Sequence, residues 1–366
     1  MRAAYHKRGW LVCALTLCNT TAVEDQIKNF IVTFTSILYE ALPFIVFGAI
    51  IAGVVEEFIP PRLMQRLIPR NRVLAIAIGG FLGLPSPMCD CGILVVVRRL
   101  LRKGVPLSCC ICYLLAGPII NVVTMLSTRV AFTGMEKFTD SSGHPTYQIG
   151  GDGMMWLRVG MGYLVAFVTA LIIEWQYRRH GPEKLLVPLA VPVAGKADLM
   201  DDPDNGKDET TRRSFRQRLS NITETALHDF VDVMVFVILG ALLAALARIL
   251  LKDELEALSR NYPVFAIGLM MVSAIVLCIC SQADAFIAAG FVTLRPASKL
   301  AFLVLGPMLD FKLYAMYTRV FRPRLIWTVI SCVVVQVFVY SLIVHVIWEG
   351  YHTQITTWLE HVGLYR

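Results

Sequence analysis

Charge is what this chain has least of. Of its 366 residues only 17% are Asp, Glu, Lys or Arg, where an ordinary soluble domain carries nearer a quarter. Hydrophobic residues make up 56% and the mean hydropathy is +0.63. That balance excludes a soluble globular domain and reads as an all-α, polytopic membrane protein with the lipid bilayer as its first partner. Long basic runs are missing as well. The formal charge is +7, from 34 basic and 27 acidic residues, but the basic residues fall in short clusters between apolar runs, as membrane orientation demands, so no nucleic-acid partner is expected. A disulfide framework is also absent from the pattern. Most of the 10 cysteines sit in apolar segments, where Cys behaves as a small hydrophobe.

What is present divides into five parts. Residues 1–22 form a lead-in with a basic start and a short apolar core, either signal-like or a peripheral helix. Residues 23–177 read as a first membrane repeat, 178–222 as a cytoplasmic and partly disordered linker, 223–348 as a second membrane repeat, and 349–366 as a tail. Residues 30–55 are a span with Glu40 inside it. The apolar stretch 73–97 is broken at Pro85 and Pro87, so two half-length pieces flank Cys89-Asp90-Cys91. Both of its ends are basic, which favours a re-entrant hairpin over a single crossing. Residues 107–128 are an apolar span with Gly117, Pro118 and Asn121 at a break, and 155–177 return across the bilayer.

The second half follows the same plan. A span over 225–251 holds Asp232, and 263–292 are broken between Cys278 and Asp284. Residues 299–317 carry Gly306, Pro307 and Asp310, and 325–348 form the last span. One common offset carries Cys89 to Cys278, Gly117-Pro118 to Gly306-Pro307 and Asn121 to Asp310, which reads as an internal repeat. If each half holds three crossings and one hairpin, the repeats are inverted and the basic clusters share one side. Should the broken segments cross fully, the repeats are parallel. Inverted repeats with broken helices are the pattern of secondary transporters, whose sites lie at the breaks.

The chemistry gathers at those breaks. Two thiols on one turn, Cys89 and Cys91, can grip a soft ion or a trivalent arsenical once ionised. Cys278 and Cys280 offer the same spacing in more apolar surroundings. Carboxylates at membrane depth are expensive and are kept for ions, protons or substrate. Asp90, Asp284 and Asp310 are therefore substrate-site candidates beside Cys89, Cys91, Gly92 and Asn121, with Asp310, Glu40 and Asp232 as coupling groups. Asn121 has a structural role open to it as well, bonding to backbone freed by Pro118. Lys312 is expected on another helix face from Asp310, snorkelling to the interface. No cofactor is expected, and no metal is assigned.

Five blocks occur in fixed order: PSPMCDCG, RRLLRKGVPL, LLAGPIINVVTMLST, SQADAFIAAGF and LAFLVLGPMLDFKLY. With them the chain resembles the large bacterial predicted-permease family that includes the ArsP-like organoarsenical efflux permeases, over roughly residues 37–321. The resemblance implies a multi-pass permease of the cell inner membrane with about eight spans and, for some members, export of trivalent organoarsenicals. It places the family's Cys-x-Cys-Gly block on Cys89, Cys91 and Gly92, its Gly/Ala-Pro-x-x-Asn block on Gly117, Pro118 and Asn121, and its second Gly-Pro on Gly306 and Pro307. Many members carry Pro where this chain has Val95, so the second half-helix is open to a different start. The expected activity is secondary transport of a small solute, not enzyme catalysis. A thiol-disulfide oxidoreductase using the Cys-x-Cys pairs and a passive channel are the alternatives.

Overall fold

The computed structural model describes residues 71–84, 88–134, 138–139, 145–146, 149–180, 263–291 and 294–361, with position 69 and scattered positions within 27–54 and 222–246. The lead-in, most of the linker, Glu40, Asp232, Pro85 and Pro87 lie outside the described residues. Apart from a two-residue pairing of Phe138–Thr139 with Pro145–Thr146, the described elements are helices. In chain order they are α1 (Arg72–Phe81), α2 (Asp90–Arg102), α3 (Leu107–Ala116), α4 (Val122–Ala131), α5 (Gly151–His180), α6 (Pro263–Leu277), α7 (Asp284–Gly290), α8 (Pro296–Leu305), α9 (Phe311–Val320) and α10 (Pro323–His361).

Gly151–Arg179 and Pro323–Trp348 are long and apolar enough to cross a membrane. Trp156, Trp175, Trp327, Val346 and Ile347 on these helices are largely exposed, as lipid-facing side chains would be. Helix α10 runs past residue 348 to His361, through a stretch without proline.

The other helices are short because the sequence stops them. Pro118 has no amide to continue α3, and the chain turns until Asn121, whose side chain accepts from the Val123 amide at 2.9 Å and starts α4. Asp310 does the same for α9, accepting from the Leu313 amide at 2.6 Å. The spans read at 107–128 and 299–317 are thus each two helices. The bounds of α3 and α4 map onto those of α8 and α9 at the offset that carries Cys89 to Cys278. That offset fails at the first break of each half: α2 begins at Asp90, directly after Cys89, whereas α7 begins only at Asp284. Between α6 and α7, Cys278 adopts φ 47°, a left-handed backbone that ends the preceding helix. Helix α2 itself runs through Val95 without a break.

Every residue of α3 and α8 is buried, so these two helices form the centre. Helix α3 packs on α1, α2 and α5, while α8 packs on α6, α7 and α10. Across the halves α2 meets α9, α4 meets α7, and α5 meets α8 and α10. Lipid is as apolar as Leu, so helices hold together in it by close packing rather than by hydrophobic burial. Small residues supply that closeness. A Cβ on Gly79 would lie 2.8 Å from the Cys109 carbonyl oxygen, and one on Gly83 would lie 2.5 Å from the Gly117 Cα. The turn after α1 therefore rests directly on the turn after α3, backbone against backbone. Gly83→Ala must push the two turns apart, a cost of about 1–3 kcal/mol. The expected result is a lowered melting temperature of the detergent-purified protein; an unchanged one would mean that the turns do not touch.

One clasp ties the first half together. Glu174 on α5 accepts from Arg72 at 2.5 Å, from Arg178 at 3.0 Å and from the Ser108 hydroxyl at 2.9 Å. It thereby joins α1, α3 and α5 at one end.

Candidate functional site

At the first break, Cys89 caps α2 with an extended backbone and Asp90 is the first helical residue. A carboxylate there meets the positive end of the helix dipole. The Cys89 and Cys91 sulfurs and the Asp90 carboxylate lie within 4.8 Å of one another, all three residues buried. The Cys91 thiol faces Asp90 Oδ2 at 3.7 Å, and Gly92 is buried in the same helical turn. The Met88 carbonyl just before this turn accepts from Asn121 Nδ2 at 3.0 Å. Asn121 thus caps α4 with its oxygen and holds the neighbouring break with its nitrogen.

The second half reaches into this group. Lys312 Nζ on α9 lies 3.1 Å from Asp90 Oδ2 and 3.5 Å from Asp310 Oδ2. The side chains of Lys312, Asp90 and Asp310 are 5%, 2% and 1% exposed. Lys312 is therefore no snorkelling lysine, which corrects the expectation from sequence. Positions two apart diverge only within a continuous helix. Asp310 stands outside α9 as its cap, with φ −139° and ψ 173°, so its carboxylate folds back over the first turn and meets Lys312.

A second ion pair lies at the other break. Asp284 Oδ2 accepts from Arg158 Nη2 at 2.6 Å, and both side chains are 1% exposed. Arg158 comes from α5 in the first half. It also donates to the Ser281 carbonyl at 3.1 Å and to Thr128 Oγ1 at 2.7 Å. Each break thus carries a carboxylate at the start of a helix, and each carboxylate is held by a cation from the opposite half. Cys280 lies within electrostatic reach of both Arg158 and Lys312, and the Cys280 thiol faces Gln282 Oε1 at 3.7 Å.

Several buried polar atoms around these pairs have no hydrogen bond to the protein: Asp90 Oδ1, Asp284 Oδ1, Asp310 Oδ2, Arg158 Nε, Ser281 Oγ, Gln282 Nε2 and Thr124 Oγ1. Native interiors satisfy such groups almost everywhere, and a concentration of them marks a place where water or a ligand is handled. Counted as ionised, Asp90, Asp284 and Asp310 against Arg158 and Lys312 leave one excess negative charge. Two apolar grooves, of 680 and 330 Å³, lie elsewhere, along α6 and α10. Their lining of Val, Leu, Ile, Met, Phe and Gly offers nothing to orient a polar solute.

The sequence profile of a family described as predicted permease matches residues 26–346. This chain belongs to the predicted permease family. Among its relatives, the UPF0718 protein YcgR of Bacillus subtilis is 33% identical over 313 residues, covering 85% of this chain and 95% of the relative. A protein of Streptococcus mutans named as a two-component membrane permease complex subunit is 29% identical over 325 residues, 88% of this chain and 97% of the relative. No solved structure matches the chain. The permease is therefore a membrane protein.

Within this permease the fold gathers Cys89, Asp90, Cys91 and Asp310 around Lys312, and pairs Asp284 with Arg158. It does not bring Cys278 and Cys280 into the Cys89–Asp90–Cys91 group, which is the one cluster of metal-ligating side chains among the described residues. Gly117 and Gly306 end α3 and α8, with Pro118 and Pro307 in the turns that follow. Arg158 and Glu174 escaped the sequence reading. The signal was present: both are charges inside an otherwise apolar run from Met155 to Tyr177.

Proposed function

We propose that this permease is a multi-pass secondary transporter of the cell inner membrane that exports a small solute, with trivalent organoarsenicals as the substrate class, by alternating access at the two breaks. The observation that carries the reading is the exchange of cations between halves: Lys312 closes the first-half break and Arg158 the second-half break, both deep in the protein. A site built this way is shared equally by two parts that can rock against each other. The matched bounds of α3/α4 and α8/α9 and the reciprocal packing of α2 on α9 and α7 on α4 support two inverted repeats with about eight spans and re-entrant hairpins at residues 72–102 and 263–290.

The two thiols at the first break suit trivalent arsenic. A monomethyl arsenical carrying two hydroxyls would form two As–S bonds with Cys89 and Cys91 and release two waters, taking one proton from each thiol. The bonds are soft and exchangeable, so the substrate can be handed on. Asp90 beside both sulfurs and Lys312 beyond it would receive and balance the charge that moves during this exchange. Cys89→Ser is expected to abolish uptake of methylarsenite into energised everted vesicles while the protein remains in the membrane. Uptake at the wild-type rate would sink the arsenical reading. Uptake by the wild type that ignores the proton gradient would replace the transporter by a channel.

A further inference from the structure

We infer that Asp284, paired with Arg158, is the group that takes up and releases the coupling proton, while Asp90, Asp310 and Lys312 remain a fixed charged floor for the substrate. This deepens the transporter reading above and rests on it for the word coupling; the protonation itself is tested without any substrate.

The geometry separates the two clusters. Asp310 Oδ1 accepts from the Leu313 amide and starts α9, and its other oxygen faces Lys312. Asp90 faces Lys312 and the Cys91 thiol. Removing the charge from either acid would weaken the hold on a lysine whose described ion pairs are these two acids. Each of the three acids keeps one buried oxygen without a hydrogen bond, Asp90 Oδ1, Asp284 Oδ1 and Asp310 Oδ2, and Asp284 differs in how its cation is held. Its Oδ2 takes the Arg158 pair, whereas Oδ1 is buried without a hydrogen bond, although the Ala285 amide is close to the carboxyl. A proton can therefore sit on Oδ1 without displacing a partner. Arg158 is provided for in that state too, because Thr128 Oγ1 and the Ser281 carbonyl continue to accept from it.

The charges facing Asp284 agree with this role. From α5 comes Arg158 and from α2 the field of Asp90. On α8 Lys299 sits over the ring of Phe132, and on α4 Arg129 is turned outward to Asp152. A proton on Asp284 removes the charge pair joining α5 of the first half to α7 of the second. Binding it loosens the contact between halves, and losing it restores that contact, so one state of the permease is favoured with the proton on and the other with it off.

The test is infrared difference spectroscopy on the full-length protein in lipid vesicles while pH is cycled over the range in which the vesicles hold a proton gradient. The wild-type minus Asp284→Asn spectrum is expected to contain a protonated-carboxyl band that grows and fades with pH, and the wild-type minus Asp310→Asn spectrum none. The reverse assignment, or no such band in either spectrum, overturns the proposal. Should Asp284→Asn fail to fold because it strands Arg158, the double variant Asp284→Asn/Arg158→Gln removes both charges and must lose the same band. In parallel, gradient-driven methylarsenite uptake is measured in vesicles of the wild type and of Asp284→Asn. Failure of the wild type to accumulate methylarsenite would overturn the substrate class and leave the infrared result to decide the proton site. Loss of accumulation in the variant is the expected outcome, and wild-type accumulation by it would overturn the role of Asp284.

Discussion

Lys312→Ala is expected to yield a permease that is severely destabilised and inactive. The lysine is 5% exposed and stands between two carboxylates at 3.1 and 3.5 Å. Its loss leaves two buried negative charges facing each other with no cation between them. Removing one partner of a buried pair costs about 3–5 kcal/mol, chiefly through the charge left behind. Here two charges are left behind, so the upper part of that range applies. Lys312→Met combined with Asp90→Asn should recover part of the loss, because it removes one of the two stranded charges and leaves Asp310. The five described cysteines of α2, its cap and α3 are all buried, so thermal unfolding followed by a thiol-reactive dye reads the effect directly. A melting temperature within error of the wild type for Lys312→Ala would mean that the lysine is not between the acids.

Arg158→Leu should cost nearly as much, but for a different reason. Arg158 is among the largest side chains that are fully buried, at 1% exposed, and it makes hydrogen bonds to three residues on two other elements and a turn. Leucine leaves Asp284 charged and unpaired, strips an acceptor role from Thr128 and the Ser281 carbonyl, and fills only part of the space. A loss of about 3–5 kcal/mol is expected, with no rescue by high salt, since screening reaches buried pairs poorly. The double variant Arg158→Leu/Asp284→Leu should be more stable than Arg158→Leu alone, and the difference between them isolates the stranded carboxylate. Equal stability of the two would argue that Asp284 is not held by Arg158.

Much of the architecture was legible because membrane depth makes every departure from a plain apolar helix informative. Prolines, Gly-Pro pairs and carboxylates inside apolar runs marked the breaks at 82–89, 117–121, 278–283 and 306–310. Asn121 and Asp310 stood out for the same reason, and both turn out to be helix caps. What could not be read was which charge meets which. Lys312 looked like a side chain bound for the interface because a helix was assumed to run through Asp310. Once Asp310 is outside the helix, the pair closes. The partnership of Arg158 with Asp284 spans 126 residues, and no local pattern encodes a contact at that distance. The equivalence of Cys278-x-Cys280 with Cys89-x-Cys91 was misleading in a further way. The residue types repeat, but α7 starts later than the match requires, so the acids that open α2 and α7 take corresponding positions while the thiols do not.

The reciprocal pairing also bears on how the permease is made. Chains are delivered from the N-terminus, so Asp90 and Arg158 reach the bilayer well before Asp284 and Lys312 have been synthesised. In the finished fold their counter-charges come from the other half. During that interval the nascent first half carries an acid and a base that await their final partners, an arrangement hydrocarbon penalises heavily. Assembly of the centre must then be completed after the last helices arrive, with the late segments acting as the keystone for the early ones.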